Sequence, residues 1–258
     1  MITMQSWEAA KAAKKAVVKD TFEGAVTDFI ATHETRQAGA QAFLVEQAPN
    51  WVTPPHFHLE HQFQVVTAGS GAIGRHAAAP LTVQYAAPET GYGPITAGPE
   101  GISYLTLRAT GDTGAWYLHK PGSRERMQPG RKREQQHGVP ATPLAAEALA
   151  ALAAATVDAL IAPRADGLAA HLLRLPPGRD LALPALHPHA GRYYVVTQGA
   201  VRIDGADAAA MSVVFATSGE NPTLVAGPSG AEVLLLQFPH AALAGPANNA
   251  SSSPEAYR

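Results

Sequence analysis

The chain has no cysteine. Disulfides, thiolate nucleophiles and thiolate-held metals are excluded, so any metal must rest on nitrogen and oxygen ligands. No apolar run approaches the ~18 residues a membrane-spanning helix requires. The first residues, MITMQSWEAAKAAKKAVV, carry lysines but no apolar h-region. No secretory signal is expected there, and a cytoplasmic location is. Net charge is scarce as well: 19 Lys and Arg against 21 Asp and Glu leave −2 at pH 7, with no global pull toward nucleic acid or anionic membrane. No Ser-His-Asp arrangement, P-loop or dinucleotide fingerprint is visible. GSGAIG (69–74) follows a strand-like run but leads into more strand, whereas a phosphate cradle leads into a helix.

What the chain does have is repetition. QFQVVTAGSGAI (62–73) matches RYYVVTQGAVRI (192–203), and ITAGPEGISYLTLR (95–108) matches LVAGPSGAEVLLLQ (224–237). GAQAFLVEQAPN (39–50) matches GLAAHLLRLPPG (167–178) more loosely. All three pairs keep their order at an offset of about 130 residues, a domain duplication and not a solenoid. With 258 residues there is chain enough for two cores. Short runs rich in Val, Ile, Leu, Tyr and Phe predict strands at 43–45, 63–67, 81–85 and 103–108, with partners at 172–175, 193–197, 212–216 and 233–238. The 23 glycines and 21 prolines supply turns, and AGPEG and AGPSG read as tight ones. The expected class is all-β, two tandem barrels.

The expected division is an N-terminal segment at 1–20, a first barrel at 21–119, a basic linker at 120–142, a second barrel at 143–240 and a tail at 241–258 that lacks apolar periodicity. In the linker Lys120, Arg124, Arg126, Arg131, Lys132 and Arg133 face only Glu125 and Glu134. A solvated connector is the leading reading. Phosphate or nucleic-acid contact is the weaker one, since no aromatics are interleaved to stack on bases. PLAAEALAALAAATVDAL (143–160) has high helix propensity, although its last part also reads as strand.

Three of the 11 histidines fall in PPHFHLEHQ: His56, His58 and His61. Side chains two apart on a strand share a face, so His56 and His58 can converge on one ion. A hairpin would fold Gln62 back beside them as a third, neutral ligand. The bland alternative is a set of loop histidines in solvent.

His56-x-His58-x3-Gln62-x6-Gly69 resembles the first motif of the cupin family, in which His-x-His, three or four residues, Glu, six residues and Gly bind a divalent metal. With the duplication, the chain resembles a bicupin of two jelly-roll barrels. The resemblance implies His56, His58 and Gln62 as ligands of a divalent metal (Fe, Mn, Ni or Zn) in the first barrel, and a homodimer through barrel edges. Two departures stand out. Glutamine replaces the acidic ligand, and the late motif, APETGYGPITAG, places Tyr92 near the expected histidine. Tyr92 is the candidate catalytic residue, as a proton donor or oxyanion partner; it could also be a phenolate ligand or filler of the barrel mouth. His76 is a weaker substitute ligand, placed in a turn, and Glu60 and His61 are either solvent-exposed or second neighbours of the ion.

The second barrel repeats the pair as His187 and His189, with Arg192 where Gln62 stood and Asn221 or Glu220 near the late motif. Arginine cannot ligate and stays charged. No metal is expected there. His187, His189 and Arg192 could instead receive a carboxylate or phosphate, or be a relic. Two functions follow: a metal-dependent, dioxygenase-like bicupin acting on a small organic molecule, or a non-enzymatic cupin that binds a small carboxylate or sugar-like ligand. A pirin-like regulator is a weaker third. Neither nucleic acid nor membrane is an expected partner.

Overall fold

The computed structural model describes residues 1–34, 38–181, 183 and 187–243. Two antiparallel sheets carry the fold. The first runs Gln135–His137, Val83–Ala86, Gln62–Ile73, Ile95–Arg108, Gln41–Gln47, Phe22–Ile30, Lys15–Lys19. The second runs Ile2–Gln5, Val213–Thr217, His189–Ile203, Leu224–Pro239, Ala169–Leu175, Thr156–Ile161. Their central strands follow one order, and each matches a segment of the sequence repeat. The structure is two jelly-roll barrels built on one plan.

The strands are longer than expected because AGPEG and AGPSG do not turn the chain. Both lie inside continuous strands, Ile95–Arg108 and Leu224–Pro239. The irregularity is a bulge that bends the strand, with a register shift between Ala97 and Ile102. Gly69 and Gly199 mark its partner positions at φ +71 in both barrels. A Cβ on Gly69 would lie 2.3 Å from the Gly101 carbonyl oxygen, and one on Gly199 2.1 Å from that of Gly230. The motif glycine is thus a close-approach residue that no side chain can replace without moving backbone.

Period-2 alternation gives each central strand two buried faces. Phe63, Val65, Leu105 and Leu107 point out of the first barrel into a core shared with Tyr193, Val195, Leu234 and Leu236 of the second. Phe63 and Phe238 meet edge to face at 5.0 Å. The Tyr193 hydroxyl lies 2.9 Å from the backbone carbonyls of both Gln41 and Arg108, tying the second barrel to the strands that carry the first barrel's polar interior. The opposite face of each strand looks into its own barrel.

Three expectations change. Residues 1–20 are not set apart: Ile2–Gln5 pairs with Val213–Thr217 of the second barrel and Lys15–Lys19 with Phe22–Ile30 of the first. The basic linker is not free, since Gln135–His137 forms the first barrel's edge. Arg131 and Arg133 bond the buried Glu89 at 3.0 and 3.4 Å, and Lys132 pairs with Glu134. These cations are held by carboxylates, which argues against phosphate contact. The helix in 143–160 covers only Ala146–Ala150, and the following segment is strand Thr156–Ile161. Most of the tail, from 244 onward, lies outside the described residues. No helix is long and apolar enough to cross a membrane among the described residues.

Candidate functional site

The expected hairpin does not form. His56–Phe57 pairs instead with Trp116–Tyr117, and a single bridge joins His56 to Tyr92. His56 and Tyr92 exchange backbone hydrogen bonds at 3.1 and 3.0 Å. This crossing, with the inward face of Gln62–Ile73, gathers His56, His58, Gln62 and Tyr92 in the first barrel. His56, Gln62 and Tyr92 are all buried.

A fifth residue lies among them. Arg108 ends the Ile95–Arg108 strand on the same inward face as Tyr104 and Thr106. It is 1% exposed. Its Nη2 lies 3.0 Å from both His58 Nδ1 and Gln62 Oε1, and its Nη1 donates to Gln41 Oε1 at 2.6 Å. Since guanidinium only donates, His58 Nδ1 must be the acceptor. Charge compensation comes at longer range, from Asp112 and Glu60. The Asp112 carboxylate lies 3.6 Å from His58 Nδ1, too far for a hydrogen bond, and accepts the Leu59 N–H at 2.8 Å.

The remaining donor is Tyr92. His56 Nδ1 is 2.8 Å from the Pro54 carbonyl and so carries its proton there. Burial, then the charges of His58 and Arg108, push its pKa down to about 3. Its bare Nε2 therefore accepts the Tyr92 hydroxyl at 2.9 Å, while Gln62 Nε2 donates to the Tyr92 oxygen at 2.6 Å. Burial raises the Tyr92 pKa, so the phenol stays protonated and a phenolate ligand is disfavoured.

His56, His58, Tyr92 and Arg108 form the polar end of a cavity of about 150 Å³. Phe22, Phe43, Tyr104 and Tyr117 wall it, and Arg108 lies 5.4 Å over the Phe43 ring. Arg108 Nε is buried with no hydrogen-bond partner. His33 and Gly114 also line a neighbouring open groove of about 600 Å³ along Ala16, Val17, Val18 and Lys19.

No family model and no curated protein matches the chain. Solved structures do match in shape. A candidate dioxygenase from Nostoc punctiforme shares 13% identity over 97% of this chain and 87% of its own, at a TM-score of 0.62. A bacterial pirin from Escherichia coli in complex with nickel(II) shares 12% over 93% of this chain and 99% of its own, at 0.56. Oxalate decarboxylase of Bacillus subtilis, with Mn(II) centres, shares 14% over 90% of this chain and 76% of its own, also at 0.56. The fold is that of two cupin-type jelly rolls. At these identities the likeness carries shape and not chemistry.

The metals of those neighbours raise a question of fit. Of the atoms that could ligate one here, His56 Nε2 and Gln62 Oε1 accept protein hydrogen bonds, from Tyr92 and Arg108, and so does one of the two ring nitrogens of His58, Nδ1. No group of three His, Cys, Asp or Glu side chains suited to an ion occurs among the described residues. A dication here would meet a permanent buried cation and no anionic ligand. The residues as arranged do not fit a metal.

The other expected residues scatter. His76 begins a short strand, His76–Ala78, and stacks on His137 at 3.7 Å, away from the site. His61 and Glu60 are not in solvent. Glu60 is buried, and His61 Nδ1 bonds the Tyr85 hydroxyl at 2.6 Å. In the second barrel His189 is buried and His187 exposed. Arg192 Nε donates to Gln237 Oε1 at 2.8 Å and Nη1 to Asn221 Oδ1 at 3.1 Å. Burial, then the Arg192 charge, pushes the His189 pKa down to about 4. Sequence reasoning missed Arg108, Gln41 and Asp112. The available signal was alternation: Tyr104, Thr106 and Arg108 break an apolar strand at every second position.

Proposed function

We propose that the chain is a small-ligand-binding protein whose first barrel takes an anionic group, of carboxylate size, onto Arg108 without a resident metal. The observation that carries this reading is the buried guanidinium of Arg108, bonded to the neutral acceptors His58, Gln62 and Gln41, in the lining of an aromatic-walled cavity. The remaining features agree with it. The guanidinium is held by neutral acceptors, so its charge is available, and aromatic walls suit an apolar ligand body. The second barrel, on the same reading, would meet an anion through Arg192 and His189, with the exposed His187 at most at the rim.

Calorimetric titration with short carboxylates and their matched amides is the test. Carboxylates should bind and amides should not. Arg108→Lys, which keeps the charge but loses the planar fork, should weaken binding at least about tenfold. Equal binding of acid and amide would refute the anion reading.

The alternative is a metal-dependent oxidoreductase of dioxygenase type, with Tyr92 as proton donor. It is favoured by the gathering of His56, His58 and Gln62 and by the nickel and Mn(II) of the structural neighbours. It requires Tyr92 to leave His56 Nε2 and Arg108 to leave Gln62 Oε1. One equivalent of Fe, Mn, Ni or Zn per chain, lost in His56→Ala/His58→Ala, would establish it over the first reading.

A further inference from the structure

Matching rungs of the two barrels hold the same two side chains in opposite order. In the first barrel Gln62 stands on Gln62–Ile73 and Arg108 on Ile95–Arg108, one rung beyond the Phe63–Leu107 pairing. In the second, Arg192 on His189–Ile203 pairs with Gln237 on Leu224–Pro239. The neighbouring strand fixes the match, since Gln62 pairs with Ala86 and Arg192 with Ala216. In each barrel the guanidinium donates to the amide oxygen, at 3.0 Å for Arg108 to Gln62 and 2.8 Å for Arg192 to Gln237. Both arginines are buried, at 1% and 6% exposure.

Burying a permanent charge is expensive, and apolar side chains would fill either barrel more cheaply. One such arginine would be a local peculiarity. Two, at equivalent rungs, from opposite strands and each facing a glutamine, point to the couple itself as the retained unit. Its chemistry explains why strand order is immaterial. A guanidinium donates in a planar fork, an amide oxygen accepts, and the contact spans the barrel from either side. In the first barrel Nη2 of the guanidinium lies on His58 Nδ1 and Gln62 Oε1 and Nη1 on Gln41, so the Gln62 lone pair that an ion would draw on is taken.

We infer that a guanidinium–amide couple, in either strand orientation, stands in both barrels in place of a metal and an acidic ligand. This is independent of the carboxylate reading, which concerns what the first couple binds. The test is to turn the first couple around. Gln62→Arg sets two guanidinia side by side, and Arg108→Gln leaves the acceptor on His58 unfilled. Each should lower the melting temperature by about 8 °C or more. Gln62→Arg/Arg108→Gln, which gives the first barrel the orientation of the second, should return to within about 3 °C of the parent. A double variant no more stable than the worse single would overturn exchangeability. The unaltered chain supplies a second measurement. Dialysed against Ni(II) or Mn(II) and then buffer, it should retain only traces by elemental analysis. Near-stoichiometric metal that His56→Ala/His58→Ala removes would overturn the substitution. A metal-free chain that binds no carboxylate supports the couple as a metal substitute and sinks only the ligand reading.

Discussion

In the first barrel the inward face of the Ile95–Arg108 strand presents Tyr104, Thr106 and Arg108; in the second the matching strand presents Val233, Leu235 and Gln237. The facing strands differ likewise, with Gln64 against Tyr194. Aliphatic side chains fill the second interior, where Leu173, Leu175, Val196, Val233 and Leu235 are fully buried. In the first, Tyr92, Tyr104 and Phe43 share the interior with Gln62, Thr106 and Arg108, and a cavity remains. One backbone plan thus supports a mainly apolar interior and a polar, aromatic one that lines a cavity. The sheets satisfy their own backbone hydrogen bonds and the barrels bury their outer faces against each other, so the inward face is free to be used for binding.

The largest break in the comparison should come from removing the guanidinium. Arg108→Met leaves acceptors on His58, Gln62 and Gln41 short of a donor, and should lower stability to urea by about 3 kcal/mol or more. Arg192→Met, which leaves Gln237 and Asn221 short of a donor at a slightly more exposed position, should lower it by about 1–2 kcal/mol. Equal losses would mean that the two arginines are not differently embedded.

Exchanging the residues of one rung sharpens the point. Leu235→Thr puts a hydroxyl and a void among fully buried apolar side chains and should destabilise by about 2–4 kcal/mol. Thr106→Leu puts methyl groups into an existing cavity and should change stability by less than about 1 kcal/mol, while reducing carboxylate binding at least about tenfold. A Thr106→Leu chain that still binds its ligand would place the ligand elsewhere.

The smallest effect concerns the barrel edges. The first barrel's edge, Gln135–His137, contains His137, whose pKa is pushed down to about 4 by burial and then by the charges of His76 and Arg75. A histidine held neutral in the fold contributes stability that is complete above its unfolded pKa of about 6.5 and is lost as pH falls toward 4. Between pH 7 and pH 5, hydrogen exchange at 135–137 should accelerate, after correction for intrinsic rates. The second barrel's edge, Ile2–Gln5, holds no histidine and should not respond. His137→Gln should abolish the difference.

Much of the architecture is legible in the sequence because duplication and period-2 alternation are local signals. The strand pairs anchored by Val65-Val66-Thr67 and Val195-Val196-Thr197 occupy matching positions. Edge strands are less legible: Ile2–Gln5 and Gln135–His137 are short, and only distant partners make them strands. At the site, the nearness of His56 and His58 follows from their spacing, whereas Gln62 arrives without the expected hairpin and Tyr92 is suggested only by the family resemblance. Arg108 escapes because an arginine ending an apolar run reads as a surface anchor. Its burial is imposed by Phe43, by Gln41 and by the second barrel docking behind it, all remote in sequence. The repeat itself aligns Arg108 with Gln237 and Gln62 with Arg192, so the exchange is visible in sequence once the two positions are known to touch.

The strand Ile2–Gln5 also bears on how the molecule is assembled in time. Ile2 pairs with Ala216, so a strand made before the first barrel waits for one made well after it. Lys15–Lys19, a few residues on, is already committed to the first barrel. The first twenty residues therefore act as a lace through both barrels. Loop closure over such a span is slow, and a nascent chain must hold its first strand unpaired until the second barrel's strands exist. Once laced, neither barrel can lose its edge without pulling on the other, which favours unfolding of the pair as one unit.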